Sequence, residues 1–170
     1  SGKNKEFQRW ANRTVKFVDG TTMQMEDTPE NQKRFPQNPR QKPGLGQPIL
    51  RALFVFSFST GRVCDVEIDS YTGKGTAEPS LLRRILKKFE TGDILVMDRF
   101  FTGMRKDLEQ YGLDFLIRAR DFSVQKYFKG NAKEVCFDGK CRFIKHISIR
   151  KGFRNKTFYF MTSLPDSYSR

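Results

Sequence analysis

Two aspartates stand where acids are costly. Asp19 lies inside residues 14–25, a stretch rich in β-branched and apolar side chains that reads as a strand with a turn or bulge at Asp19-Gly20. Asp98 closes residues 93–98, a short apolar run that reads as a buried strand. A charge inside an apolar strand costs free energy unless it is paired or binds a metal. If the strands belong to one sheet, the two carboxylates can come close. A hard divalent cation such as Mg²⁺ would then relieve their repulsion and take phosphate oxygens as further ligands. Phosphodiester chemistry is the reaction such a pair serves. The bland alternative is a turn cap or an arginine partner, with Arg99 and Arg118 available.

The elements that must position these acids can be read along the chain. Residues 27–48 hold Pro29, Pro36, Pro39, Pro43 and Pro48 and show no periodicity, so a structureless, basic loop is expected there. Residues 49–58 form a long apolar strand, Thr60-Gly61 a hairpin turn, and residues 62–69 an alternating strand antiparallel to it. Residues 77–90 are the clearest helix. Leu81, Leu82, Ile85, Leu86 and Phe89 share one face, Pro79 suits the first turn and Gly92 the stop. A second helix is expected over Thr102 to Tyr111, with Phe100-Phe101 anchoring it and Gly112 ending it. Residues 113–118 give a fifth strand, and candidate strands follow at 133–137, 141–149 and 156–162. The order β-β-β-α-β-α-β predicts an α/β fold, a mixed sheet with flanking helices.

Composition narrows the partners. Lys+Arg 32 against Asp+Glu 19 gives a net charge of +13 over 170 residues, with a pI near 9.9. Residues 49–115 are balanced, with 10 charges of each sign, whereas residues 116–170 carry 13 positive and 4 negative. A polyanion, nucleic acid ahead of membrane, is the partner this distribution favours. No apolar run approaches the ~20 residues of a membrane helix, and no secretory signal is visible. Lys126, Lys129, Lys133, Lys140, Lys145, Arg150, Lys151, Arg154 and Lys156 are the candidate phosphate contacts. The 17 phenylalanines read as core packing rather than base stacking. Cys136 and Cys141 flank an Asp138-Gly139 hairpin signal and would face each other, with free thiols expected. Cys64, Cys136, Cys141 and His146 match no standard zinc spacing, and His146 reads as a surface hairpin side chain.

The ordered set of motifs resembles the DDE transposases of bacterial insertion sequences, whose catalytic core is ribonuclease-H-like. The resembling stretches are Val18 to Thr22, Asp27 to Asn31, Gly61 to Tyr71 with Gly75 and Leu81-Leu82, Leu95 to Phe101, and Asp114 to Arg118. They cover roughly residues 15–120 in order and spacing. The resemblance implies a five-stranded mixed sheet, with Asp19 and Asp98 as the first two catalytic carboxylates holding Mg²⁺ or Mn²⁺. Residues 1–121 would be the first part of the core and 122–170 a basic β-rich insertion. Arg99 would help position DNA or the sheet. The intact enzyme would cleave transposon ends with metal-activated water and join the freed 3′-hydroxyl to target DNA. A homodimer in a synaptic complex and a cytoplasmic, nucleoid-associated location are implied as well.

One departure is large. The family's third acid is a Glu on a later helix, and nothing in the chain matches it. Glu134, Asp138 and Asp166 lack the helical setting. With Ser1-Gly2 in place of an initiator Met, this reads as a piece of a longer protein, itself inactive in transposition. A ribonuclease-H-like nuclease or resolvase and a non-catalytic basic DNA-binding remnant are the alternatives.

Overall fold

The computed structural model describes residues 12–149, 152 and 156–165. The chain divides between Glu90 and Thr91 into two compact units.

In the first unit, β1 (Val15–Gln24), β2 (Ile49–Ser57) and β3 (Val63–Ser70) form an antiparallel ladder in the order β3-β2-β1. Val18, Leu53 and Val55 are buried on one face together with Leu81, Leu82 and Ile85 of α2 (Glu78–Ile85). The helix packs there because its apolar stripe, set by the 3.6-residue period, covers the apolar face that the two-residue alternation gives the strands beneath. Its basic side does more than meet solvent. Arg84 reaches Asp69 at 2.5 Å and Glu67 at 3.5 Å, and Lys88 reaches Asp65 at 2.8 Å. The predicted helix over 77–90 is shorter than expected. It tightens into a 3-10 turn at Leu86–Lys88, as helix ends commonly do. The other sheet face keeps Phe17, Val66 and Ile68 partly exposed.

Two expectations are corrected here. The register of β1 on β2 runs unbroken from Lys16 opposite Ser57 to Gln24 opposite Ile49, so Asp19-Gly20 makes neither turn nor bulge. The irregularity lies instead between Val55 and Phe56, against β3. Nor is the Pro-rich stretch structureless. It contains α1 (Pro29–Arg34), capped by the Thr28 hydroxyl, which accepts from the Asn31 amide at 3.2 Å, with Pro29 in the first turn. Beyond α1, glutamine side chains do the work of a ladder. Gln37 Oε1 accepts from the Gly44 and Gly46 amides at 3.1 and 3.2 Å, and Gln32 Nε2 donates to the Gly46 carbonyl at 2.8 Å. Buried Phe35 anchors the loop. Side-chain amides satisfy backbone groups without leaving any periodic trace in sequence.

In the second unit the strands run β4 (Ile94–Met97), β5 (Asp114–Arg118), β6 (Glu134–Cys136), β7 (Arg142–Ser148) and β8 (Lys156–Thr162), in the order β4-β5-β8-β7-β6. β4 and β5 are parallel and the remaining pairs antiparallel. The late β-rich segment therefore extends the sheet through β5 and β8. Between β4 and β5 the chain runs through a 3-10 helix, Arg99–Met104, and α3 (Arg105–Gln110) rather than one continuous helix. Gly112 ends α3 with φ 64°, the left-handed conformation that favours glycine. Phe101, Met104, Leu108, Phe115 and Ile117 are fully buried. A short helix, α4 (Asp121–Val124), follows β5.

The expectation of core phenylalanines is met only in part. Phe35, Phe101, Phe115 and Phe143 are buried, whereas Phe17, Phe58, Phe100, Phe122 and Phe137 expose 39–77% of their surface. Phe101 anchors its helix as expected; Phe100, 49% exposed, does not. Cys136 and Cys141 are free thiols, but they do not face each other: Cys136 pairs with Arg142 in the ladder.

Candidate active site

Asp19 occupies the middle of β1, opposite Phe54 on β2, with its side chain exposed. Its Oδ1 accepts from the Gly20 amide at 3.0 Å. That neighbour-residue bond orients the carboxylate without using its second oxygen. β1 stays a strand here because it pairs with β2 along its length, with Val18 buried on one face and the acid exposed on the other.

Asp98 is the first residue after β4, in extended backbone with φ −77° and ψ 177°. Its Oδ1 accepts from the Phe100 amide at 2.7 Å and so caps the 3-10 helix. The cap anticipated as the bland alternative is present, and the side chain is also exposed. Arg99 is exposed beside it. The Arg118 guanidinium lies over the Phe158 ring, 5.1 Å from the centroid.

Both aspartates offer hard oxygen donors at exposed positions, the chemistry that suits Mg²⁺ or Mn²⁺. Among the described residues, no three His, Cys, Asp or Glu side chains gather as a metal-holding group. Cys64, Cys136, Cys141 and His146 form no such group among the described residues. Cys141 is buried, and burial pushes its thiol up to about 11.

One acid escaped the sequence reading. The Glu78 side chain, from the first turn of α2, lies over the backbone of Gly20. The available signal was Gly20 itself, a glycine inside a strand that no turn requires.

The basic candidates fall on one strand-rich region. Lys126, Lys129, Lys133, Lys140 and Lys156 are exposed and Lys145 half-buried. The Lys145 amide donates to the Lys133 carbonyl at 2.7 Å, so the two lysines meet where β6 begins. With Asn131 and exposed His146 they line a cavity of about 480 Å³. Arg150, Lys151, Arg154 and Asp166 lie outside the described residues. Other cations are already engaged. Arg142 pairs with Glu134 at 2.6 Å, and Arg105 pairs with Glu109 at 2.6 Å and with Asp138. The Arg105 hydrogen bond holds the Asp138 carboxyl below the usual range.

No helix among the described residues is long and apolar enough to cross a membrane. No curated relative matches the chain. The family model described as a transposase DDE domain matches residues 10–167, nearly the whole sequence. A match of that extent, on a mixed α/β fold, shows that the chain belongs to the DDE-domain transposase family.

Proposed function

We propose that the chain is part of the catalytic core of a DNA transposase, in which Asp19 and Asp98 are the metal-holding carboxylates. The observation that carries this reading is the exposed acid in the middle of β1, where no turn and, among the described residues, no ion partner accounts for it. A bound Mg²⁺ or Mn²⁺ would supply charge neutralisation at phosphoryl oxygens and a more acidic water. The chain's own contribution is placement. β1 presents Asp19 from a paired, regular strand. The cap to Phe100 fixes the Asp98 carboxylate, and buried Phe101 holds that turn. Arg99 is a DNA-positioning residue. Lys126, Lys129, Lys133, Lys145 and Lys156 make sequence-independent phosphate contacts, joined in this reading by Arg150, Lys151 and Arg154. DNA ends and target DNA are the substrates, worked on by two copies in a synaptic complex, in the cytoplasm of a bacterium at its DNA.

The test is a Mn²⁺ titration of the chain followed by NMR. Paramagnetic broadening around Asp19 and Asp98, lost in Asp19→Asn and Asp98→Asn, is the expected result. Broadening elsewhere, or none at millimolar ion, overturns the metal assignment.

The exposed lysines around β6 and β7 favour one second reading, a basic DNA-binding module without chemistry. DNA affinity that falls steeply with salt yet ignores both aspartate substitutions and Mn²⁺ would select it.

A further inference from the structure

Gly20 poses a question that its conformation does not answer. Its φ lies outside the left-handed region, and it sits opposite Leu53 in an unbroken register. Any L residue could adopt that backbone, and glycine within a strand weakens it. What Gly20 lacks is room. A Cβ at this position would run into the Cγ and Cδ of Glu78 and stand 2.5 Å from its Oε1. The glycine is thus a seat for the carboxyl end of Glu78, one residue after Asp19.

Glu78 has an ordinary role available. It is the first residue of α2, where an acid complements the helix dipole. That role needs no contact with β1 and no glycine opposite. Here the side chain also lies against the Gly20 backbone of β1 and is half-buried. Successive strand residues point to opposite faces, so Gly20 faces α2 while Asp19 faces away. Glu78 therefore acts on Asp19 through the backbone that carries it. It also adds negative charge within one residue of that acid.

We infer that Glu78 is a positioning residue of the proposed catalytic site: seated on Gly20, it fixes the β1 backbone that presents the Asp19 carboxylate to the metal ion. The inference rests on the metal reading of Asp19 and adds an acid from α2 to it.

The experiment compares Mn²⁺ affinity at Asp19, read by NMR broadening, in the unaltered chain and three variants. Glu78→Gln keeps the side chain's size and removes its charge. Glu78→Ala removes the seat's occupant. Gly20→Ala keeps the acid and evicts it. Expected losses are about fivefold for Glu78→Gln, the scale of one charge removed near a divalent ion in water-like screening. Tenfold or more is expected for Gly20→Ala and Glu78→Ala. Amide spectra remote from β1 check that each variant folds, and Glu78→Gln serves if Gly20→Ala does not. A dipole or packing role alone would change the unfolding midpoint and leave Mn²⁺ affinity unmoved. Affinity within twofold of the unaltered chain in folded Glu78→Gln and Glu78→Ala overturns the inference and leaves the metal reading standing. No broadening at Asp19 in the unaltered chain overturns that reading, and this inference with it.

Discussion

The carboxylate of Asp98 accepts the amide of Phe100 at 2.7 Å, so a candidate catalytic acid is also the cap of the turn behind it. The two duties can be separated. Asn keeps an acceptor oxygen and is a good cap, whereas Ala has none. Asp98→Asn is expected to leave stability within about 0.5 kcal/mol, and Asp98→Ala to lose roughly 1 kcal/mol. Urea denaturation of both variants checks this. Equal losses would show that the cap contributes nothing.

Phe100 and Phe101 are neighbours with opposite fates. Phe101 is fully buried and Phe100 is 49% exposed. Phe101→Ala is expected to cost about 3–5 kcal/mol through lost burial and the cavity left behind. Phe100→Ala is expected to stay near the roughly 0.5 kcal/mol scale of surface substitutions. Thermal unfolding of the two variants side by side reads the difference.

Asp69 and Arg84 tie β3 to α2. Burial, the largest single influence, raises the Asp69 carboxyl, but the Arg84 hydrogen bond, the Ser70 amide and the Arg84 charge together outweigh it and hold the group below its ordinary value of 3.8. A depressed carboxyl in the folded state contributes stability above its unfolded pKa and loses it as pH falls through the folded one. Arg84 is 43% exposed, so screening keeps the contribution under about 1 kcal/mol. Asp69→Asn is therefore expected to be slightly less stable than the parent at pH 7. The gap should begin to narrow as pH falls below the ordinary carboxyl value of 3.8 and close only once pH has passed through the depressed folded value, where the Asp69 side chain is neutral too. Denaturation at pH 7 and at successively lower pH measures the gap; a gap that does not narrow in acid would place the effect in packing.

The cysteines differ in reach. Cys64 and Cys136 are exposed, while Cys141 is buried with its thiol pushed up to about 11. At pH 8 only about one Cys141 in a thousand is thiolate. A colorimetric thiol reagent is expected to modify Cys64 and Cys136 quickly and Cys141 only on unfolding. Peptide mapping identifies which sites react. Fast labelling of Cys141 in the folded chain would contradict its burial.

Much of this architecture was legible in residues alone. Strand 14–25 appears as β1, the Leu81, Leu82 and Ile85 stripe as the buried side of α2, and Gly112 as the stop after α3. These follow from hydrophobic period and local stereochemistry, which need only near neighbours. Where the backbone bonds were local but the partners were side chains, reading failed. Gln32 and Gln37 organise the Pro-rich stretch, and a glutamine gives no sign of which backbone carbonyl or amide it will meet.

The types, order and spacing of the motifs belong to the sequence by itself: Val18 to Thr22, Asp27 to Asn31, Leu95 to Phe101 and Asp114 to Arg118, taken in order, resemble the family whose model matches residues 10–167. Tertiary structure alone decided that Gly20 is a seat rather than a turn, because the occupant is Glu78, far along the chain on α2. It also decided which of two adjacent phenylalanines is core. Both outcomes depend on which surfaces meet after the chain has folded back on itself, and local pattern carries no term for that.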